Sequence, residues 1–397
     1  MRNAPTIPAF VFARMPEIHF GAGALSRLPS LVGAGGKRIL LVTGSSSFRQ
    51  SAHYERLTAA LGAAGITTFE VSVSGEPSPA FVDEVVARYR NENPDWVVSI
   101  GGGSAVDTGK AISAMLPSGD SVVEYLECKD TKKHDGRKVP FIAIPTSSGT
   151  GAEATKNAVL SDIGRAGYKS SLRHDRFVPD IALVDPELTL SCPPDVTAAC
   201  GMDALTQLLE SYVSTKASPM TDALALSGLE YVAAGLLPSV ENGAHDIEAR
   251  SHMAYGALLS GITLANAGLG IVHGYAGPLG GYHPIPHGVV CGTLVGEATR
   301  VTIEELFKDA GKNRVALRKY AKAGSVLARQ HPVSVEHDCD LLVRTLNDWI
   351  ARTGIPRLGH FGLRAADLPA ILDKSNGKNS PAQLDRAQMA AILEARL

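Results

Sequence analysis

The stretch from Trp96 to Met115 reads WVVSIGGGSAVDTGKAISAM: an apolar strand, a run of glycines and a helical segment in direct succession. A strand that ends in glycines at the start of a helix directs free backbone N–H groups and the positive end of the helix dipole at one point. This arrangement predicts a phosphate-binding turn. The P-loop pattern is not met, because five residues separate Gly103 from Gly109, and Ala111 stands where Ser or Thr should hold magnesium. An ATPase is therefore not indicated.

Similar apolar runs flank this stretch: RILLVT from Arg38, TTFEVSV from Thr67, FIAIP from Phe141 and DIALVDP from Asp180. Most of them are apolar nearly throughout, which is typical of parallel strands covered by helices on both faces. After Pro194 such runs stop and Ala/Leu-rich periodic stretches dominate. We predict a Rossmann-like α/β domain over residues 1–188 and an all-helical domain over residues 189–397, with small ligands in the cleft between them.

A second polar turn, PTSSGTGAE from Pro145 to Glu153, follows the strand FIAIP. Hydroxyls and small residues at a strand end suit contacts to a ribose or a nicotinamide amide. Either turn alone is compatible with a simple tight connection, but together in one α/β domain they favour a dinucleotide cofactor. Gly21 and Gly23 resemble the start of the Rossmann fingerprint, but Ser26 replaces its third glycine, and we interpret them as a structural turn.

Candidate metal ligands occur in the helical half. Asp203 and Gln207 are four residues apart and share one helix face. His273 and His287 each have a glycine or proline beside them that lets the chain fold tightly around a site. A carboxylate with two imidazoles is a usual ligand set for a catalytic divalent metal. Each histidine alone is equally compatible with a satisfied core residue, and His283 is a second choice.

Composition narrows the possible functions. The formal net charge is −2, and no block of Lys and Arg offers a surface for nucleic acid. Five scattered cysteines without a CxxC pair favour reduced thiols over disulfides or a zinc finger. Prolines interrupt the N-terminus where a signal peptide needs an apolar run, and no stretch of about 20 uninterrupted apolar residues follows. We expect a cytoplasmic protein with no membrane partner.

The order of motifs along the chain resembles the iron-containing (type III) alcohol dehydrogenases over essentially its whole length. The motifs are FGAGAL, GGGSAVDTGK, IPTSSGTGAEAT, YKSSL, VDPELT, GMDALTQLLESY and VHGYAGPLGGYHPIPHG. The resemblance implies the architecture shared with dehydroquinate synthase, and hydride transfer between NAD(P) and a small alcohol or aldehyde. It also implies a divalent metal, Fe²⁺ or Zn²⁺, beside the nicotinamide ring, and a homodimer.

The resemblance also assigns cofactor-binding residues. Those implied at the pyrophosphate are Gly101, Gly102 and Ser104. Those implied along the rest of the cofactor are Asp107, Thr146, Ser147, Thr150, Asn157 and Lys169.

Asp203, His273 and His287 match the family's metal ligands, and their catalytic role would be exerted through the metal, a Lewis acid that lowers the alcohol's pKa or polarises the aldehyde. Two positions depart from the family pattern. Gln207 stands where a third histidine ligand is usual, and Gly277 replaces a further histidine near the site. A carboxamide oxygen is a poorer ligand for transition metals than imidazole, so Gln207 as a ligand predicts a weaker metal site.

The strand RILLVT is followed by Gly44, Ser45 and Ser46, without the acidic residue that NAD-selective relatives place at the strand end. The glycine leaves room, the serines donate hydrogen bonds, and Arg49 supplies charge if it turns inward. This predicts that NADP(H) is accepted at least as well as NAD(H). Alternatively, the serines cap the following helix.

Three other functions are compatible with parts of the pattern. A reductase of the maleylacetate type has a similar fold but polarises the carbonyl without metal, and metal analysis separates it. A lyase similar to 3-dehydroquinate synthase needs a cluster of Lys and Arg for its anionic substrate, which VHGYAGPLGGYHPIPHG does not offer. A non-catalytic nucleotide sensor is supported only by the two departures from the family pattern, Gln207 and Gly277. Turnover of any alcohol would exclude it.

Overall fold

The computed structural model describes residues 7–129, 131–163 and 167–397. The strands are β1 (Glu17–Phe20), β2 (Arg38–Gly44), β3 (Thr67–Val73), β4 (Trp96–Gly101), β5 (Phe141–Pro145), β6 (Asn157–Asp162), β7 (Tyr168–Arg173) and β8 (Ile181–Val184). The helices before β8 are α1 (Leu28–Gly33), α2 (Ala52–Ala63), α3 (Pro79–Tyr89) and α4 (Gly103–Met115). The later helices are α5 (Pro194–Val213), α6 (Pro219–Asn242), α7 (Ile247–Ala267), α8 (Ile271–Tyr282), α9 (His287–Phe307), α10 (Arg314–Leu327), α11 (Val335–Arg352), α12 (Leu368–Leu372) and α13 (Arg386–Glu394).

Six strands form one parallel sheet in the order β1-β8-β5-β4-β2-β3. Its central strands are buried along their length, and separate apolar clusters cover the two faces. The continuous Val/Ile runs arise from this double coverage. In the register, Gly101 lies opposite Pro145, so the turns after β4 and β5 leave the same edge of the sheet side by side.

Two parts of the β structure were not predicted. The edge strand β1 pairs with β8, so the main sheet begins before the turn at Gly21 and Gly23. That turn has positive φ angles at both glycines, and the Asp185 carboxylate accepts hydrogen bonds from the N–H groups of Gly23 and Leu25. The second part is the antiparallel hairpin of β6 and β7. Its buried and exposed residues alternate along much of each strand, as expected for a hairpin with one face on a core.

The chain after β8 is mostly helical, which confirms the predicted fold class. Helix α5 lies at its centre, packed against α6, α7 and α9, and most of its residues are buried. One large apolar cluster joins these helices to α8, α10 and α11. The last strand of the sheet ends at Val184 and α5 begins at Pro194. The domain boundary between residues 188 and 189 falls in this connection and stays a prediction.

Helix α6 is long and apolar enough to cross a membrane by length and composition, with a mean hydropathy of 1.4 over 18 residues, of which 39% are buried. The pair α7 and α8 passes the same test together but is bent by 99° at its break. Core helices of soluble proteins also meet these criteria, and α6 packs against α5 and α7.

Candidate active site

The predicted phosphate turn joins β4 to α4. Gly102 is the N-cap residue of α4, and no side chain of the described residues caps this helix start, so its first N–H groups remain available to a ligand. A Cβ atom on Gly101 would lie 2.6 Å from the Cβ of Ala105 and 3.2 Å from the backbone nitrogen of Gly44. Glycine at position 101 therefore lets the end of β2, with Ser45 and Ser46 behind it, come up against the phosphate turn.

The second polar turn lies directly against the first. The Thr146 N–H donates to the Gly101 carbonyl at 2.9 Å. A Cβ on Gly102 would contact Oγ of Ser147 at 3.5 Å, and a Cβ on Gly103 would approach Oγ1 of Thr150 to 3.1 Å. The structure thus brings together the predicted cofactor residues of both turns.

Two buried oxygens near these turns have no hydrogen-bond partner among the described residues, Oγ of Ser148 and Oδ1 of Asp107. Buried polar atoms are normally satisfied, so these orphans suit a polar ligand such as the nicotinamide cofactor. The other oxygen of Asp107 accepts from the Val159 N–H at 3.0 Å, and burial raises the pKa of Asp107 to about 6 against the opposing charge of Lys110. Ser148 was not singled out from the sequence.

Lys110 is buried beneath the second turn. Its Nζ donates to the carbonyl oxygens of Ala152, Thr155 and Asn157 at 2.7, 2.9 and 2.9 Å. A P-loop lysine reaches out to phosphate, whereas this one is committed to the backbone. Its position agrees with the exclusion of an ATPase and ties the start of β6, at Asn157, to the turn.

Lys169 lies on β7, a strand that packs against α8. Its Nζ donates to Oε2 of Glu76 at 2.8 Å. Burial acts to raise the pKa of Glu76, but Lys169 outweighs it and lowers that pKa below its usual value. A Cβ on Gly280 of α8 would lie 3.5 Å from Cδ of Lys169, so the hairpin closes against the helical half beside the metal ligands. Glu76 was not predicted from the sequence.

The predicted metal ligands converge from three helices. Asp203 comes from α5, His273 from the first turn of α8, and His287 from the first residue of α9. Oδ1 of Asp203 lies 3.3 Å from Nε2 of His273 and 3.7 Å from Nε2 of His287. A fourth donor, Cys291, follows His287 by one helical turn, and the four ligand atoms all lie within 4.8 Å of one another. Its i,i+4 spacing from His287 was the available sequence signal.

Glycines allow these helices to approach so closely. A Cβ on Gly288 would lie 2.3 Å from the carbonyl oxygen of Ala199, so only glycine lets the start of α9 rest on α5. A Cβ on Gly270 would lie 2.9 Å from Oε1 of Glu210. The Glu210 carboxylate takes that space and accepts from the Val272 N–H at 2.7 Å, placing negative charge at the N-terminus of α8.

Glu210 also positions a metal ligand. Nδ1 of His273 donates to Oε2 of Glu210 at 2.7 Å, which leaves Nε2 to face Asp203. A carboxylate behind a histidine ligand fixes its tautomer and ring orientation in metalloenzymes. Glu210 was missed from the sequence, although it lies seven residues after Asp203 and so on the same face of α5.

Gln207 contacts one member of the four-donor cluster, Asp203. Its Nε2 donates to Oδ2 of Asp203 at 3.3 Å, and its Oε1 accepts from Oγ of Ser260 at 3.4 Å. The amide nitrogen therefore holds the carboxylate oxygen that is turned away from the histidines. Its predicted role as a metal ligand stays a prediction. Gly277 is the other position that departs from the family pattern. A Cβ atom there would meet nothing within 4 Å, so there is free space beside this residue.

The electrostatics of the cluster suit a cation. Burial acts to raise the pKa of Asp203, but the imidazoles of His287 and His273 lower it to about 2. Burial lowers the pKa of His287 to about 4, so this ring is neutral at pH 7. Burial also opposes charge on His273, yet its hydrogen bonds to the carboxylates of Asp203 and Glu210 help to raise its pKa well above the usual range. The thiol of Cys291, whose pKa burial raises to about 12, keeps its proton in the absence of metal.

The donor set fits a divalent transition metal. One carboxylate, two imidazoles and a thiol gather in a buried position, and nitrogen, oxygen and sulfur donors are those that zinc and iron take from proteins. Nδ1 of His287, buried and without a hydrogen-bond partner among the described residues, is a further polar atom that the protein leaves unsatisfied.

The cofactor turn touches the helix that carries the metal ligands. A Cβ on Gly149 would lie 2.9 Å from the Cβ of Cys200, three residues before Asp203 on α5. Oγ of Ser260 on α7 lies 3.3 Å from the Gly149 carbonyl oxygen. A phosphate-binding turn on a parallel sheet, packed against helices that gather metal donors, defines the class of metal-dependent dehydrogenases.

Comparison with known proteins gives the family. The model for "Iron-containing alcohol dehydrogenase" matches residues 16–186, and that for "Fe-containing alcohol dehydrogenase family, C-terminal" matches residues 197–397. The chain belongs to the iron-containing alcohol dehydrogenases, which confirms the resemblance found in its motifs. It is an oxidoreductase that acts on CH–OH groups and uses a nicotinamide cofactor and a metal.

Individual relatives agree over nearly the full length. Long-chain-alcohol dehydrogenase 1 of Geobacillus thermodenitrificans is 35% identical, with 96% of this chain and 95% of that protein covered. NADPH-dependent butanol dehydrogenase of Clostridium saccharobutylicum is 31% identical, with 95% of each covered. Among solved structures, a 1,3-propanediol oxidoreductase superposes with a TM-score of 0.87 at 29% identity, over 98% of this chain and 100% of that one. These names do not favour the metal-free maleylacetate-type alternative.

Proposed function

We propose that this chain is an NAD(P)-dependent alcohol dehydrogenase and aldehyde reductase whose metal is bound by Asp203, His273 and His287. The observation that carries the proposal is the contact of Gly149 with Cys200, because it joins the cofactor turn to the metal-binding helix one turn from Asp203. A nicotinamide ring near Ser147 and Ser148 would then lie beside the metal. A bound divalent metal would supply Lewis acidity to the substrate oxygen.

The protein's own residues would do the positioning. Gly101, Gly102 and Ser104 would hold the pyrophosphate at the start of α4, and Asp107, Thr146, Ser147, Thr150, Asn157 and Lys169 would line the remainder. Lys169 is paired with Glu76, so its charge is balanced, which favours an uncharged alcohol or aldehyde over an anionic substrate. The open space at Gly277 supports a substrate with a carbon chain beyond the reacting group.

The proposed assembly is a cytoplasmic homodimer without nucleic acid or membrane partners. Two observations support it. Within the described residues the cysteines are free thiols, as a reducing compartment requires. Strand β1 pairs on one side with β8 and exposes Ile18 and Phe20, which are 37% and 41% accessible, so its other edge suits pairing with a second copy.

The test is turnover of a panel of small alcohols and aldehydes with NADH and NADPH, with and without divalent metal. We expect His287→Ala to abolish turnover and deplete bound metal while leaving cofactor binding intact, because the ring stands on α9 and the cofactor turns belong to the sheet. His283→Ala is the matched control, since His283 lies outside the cluster and contacts Asp367. Wild-type activity of His287→Ala after dialysis against chelator would refute the metal assignment.

A further inference from the structure

The cluster offers a sulfur donor as its fourth ligand atom. We propose that Cys291 binds the metal as a thiolate together with Asp203, His273 and His287, and that this widens the preference of the site for Zn²⁺ over Fe²⁺. The inference rests on the metal site of the proposed function and adds a ligand to it. Gln207 uses its amide nitrogen to hold Asp203, so the described structure does not show it offering an oxygen to the cluster.

Four of the six distances among the donor atoms are close to those of a coordination sphere. Sγ of Cys291 lies 3.5 Å from Nε2 of His273 and 3.8 Å from Nε2 of His287. The corresponding distances from Oδ1 of Asp203 are 3.3 and 3.7 Å. Bonds of about 2.0–2.1 Å to nitrogen and oxygen and about 2.3 Å to sulfur give tetrahedral edges of roughly 3.3–3.6 Å. A contraction of the cluster, whose donor atoms are at most 4.8 Å apart, would therefore bring all four within bonding distance of one ion.

The environment of Cys291 differs from that of a buried structural thiol. Cys339, also fully buried, donates to the backbone carbonyl of Leu317, as a satisfied core cysteine does. Sγ of Cys291 instead hydrogen-bonds to the other three donors of the cluster, the two histidine nitrogens and the Asp203 carboxylate. A sulfur in these surroundings either makes only weak hydrogen bonds to these groups or binds the same metal ion as the imidazoles.

The placement of the thiol leaves room for substrate. Cys291 is inaccessible, whereas the side chain of His287 is 28% accessible, so sulfur closes the inner side of the site and solvent reaches the other side. Four protein ligands complete a tetrahedral shell, so a substrate oxygen would bind as a fifth ligand, an expansion that catalytic zinc can undergo. When the metal–sulfur bond forms, the S–H bond breaks and its proton passes to solvent. Sulfur is neither oxidised nor reduced.

The metal preference follows from the softness of sulfur. Thiolate ligands favour zinc over harder-ligand ions, while carboxylate and imidazole accept both zinc and iron. Replacing the usual imidazole by a thiolate therefore shifts the relative affinity toward Zn²⁺.

The test uses the full chain loaded with Co²⁺, whose bond to a thiolate gives an intense charge-transfer band in the near ultraviolet. We expect one Co²⁺ per chain and this band in the wild type, and its loss in Cys291→Ser and Cys291→Ala. Cys339→Ala, which removes another fully buried helical cysteine, should keep the band. Chelator competition should show Zn²⁺ affinity falling roughly tenfold or more in the Cys291 variants, with Fe²⁺ affinity under anaerobic conditions falling less.

The outcomes separate the two proposals. Stoichiometric Co²⁺ without the band, or unchanged relative affinity for Zn²⁺ and Fe²⁺ in Cys291→Ser, overturns the thiolate ligand and leaves the metal site standing. Failure of the wild type to bind any divalent metal overturns both. Circular dichroism and cofactor binding of Cys291→Ser, which nearly preserves the side-chain volume, establish that a lost band reflects the ligand and not the fold.

Discussion

Glu210 and His273 form a charge-assisted pair on the side of the imidazole opposite to Asp203. Nδ1 of His273 lies 2.7 Å from Oε2 of Glu210, and its Nε2 lies 3.3 Å from Oδ1 of Asp203. Both carboxylates come from α5, so one helix face determines how the histidine of another helix is held. With Nδ1 fixed as the donor, Nε2 is the nitrogen left for a metal.

Removing the charge of Glu210 should therefore weaken the metal site without touching a ligand. We expect Glu210→Gln to lower metal affinity about 10- to 100-fold, since the ring loses the partner that orients it. The amide also presents a donor to the Val272 N–H, which should loosen the start of α8. Chelator competition on the folded protein measures the effect. Glu248→Gln, an exposed glutamate in the first turn of α7, is the control. Unchanged affinity in Glu210→Gln would show that His273 needs no such support.

The position of Gln207 allows a second test of the site. We expect Gln207→His to raise metal retention through purification and chelator dialysis, because an imidazole replaces an amide that now contacts Asp203. A gain of about 1.4 kcal/mol in binding corresponds to a tenfold lower dissociation constant. The control is Gln330→His, which adds an exposed histidine elsewhere. Equal metal content per chain in Gln207→His and wild type would contradict the prediction that residue 207 limits metal retention.

The sequence predicted the parts of the fold that local pattern determines. Continuous apolar runs such as RILLVT and FIAIP correspond to β2 and β5 at nearly their observed bounds. Strand β1 was not predicted because EIHF is short and mixes polar with apolar residues, and because its partner β8 is far along the chain. The β6–β7 hairpin was not predicted because its residues alternate in polarity and lack the continuous apolar pattern of the parallel strands.

The candidate site was predictable to a similar degree. Asp203, His273 and His287 could be nominated from residue type, spacing and motif order. Cys291 lies one helical turn after His287, and Glu210 lies two turns after Asp203. Whether such a spacing brings a residue to the site depends on which face of the helix meets the cluster. That is set by close packing, such as Gly288 against Ala199, which no local pattern encodes.

The structure sharpens the prediction about NADP(H). Ser51, not Ser45 or Ser46, is the N-cap residue of α2, so the capping alternative for those two serines is not observed. Arg49 turns inward and pairs with Glu70 of β3 at 2.5 Å, with Tyr54 donating to the same carboxylate. A carboxylate therefore lies near the end of β2 after all, contributed by the neighbouring strand and compensated by arginine.

This pair should control selectivity between the two cofactors. We expect Arg49→Ala to lower kcat/KM for NADPH about tenfold more than for NADH, since a charged hydrogen bond to a 2′-phosphate is lost and Glu70 is left uncompensated. Glu70→Gln should shift the preference the other way. Arg56→Ala, an exposed arginine on α2, is the control. A strong NADH preference that neither variant changes would contradict the assignment.

Glu153 should make stability fall as pH rises toward neutrality. It lies in the cofactor turn at 3% accessibility, and burial raises its pKa from 4.5 to about 7 against the opposing charge of Lys110. A carboxyl whose pKa is raised by folding contributes stability that is complete below the unfolded pKa and is lost as pH rises through the folded one, here between about 4.5 and about 7. The full effect is about 3 kcal/mol of the free energy of unfolding.

Glu153→Gln, which cannot ionise, should remove this pH dependence. The thermal midpoint of the variant, relative to that of the wild type, should therefore rise from pH 5 to pH 8. Glu84→Gln, an exposed glutamate on α3, should follow the wild type at both pH values. A Glu153→Gln protein whose midpoint tracks the wild type across that interval would mean that Glu153 is already ionised in the folded protein at pH 5.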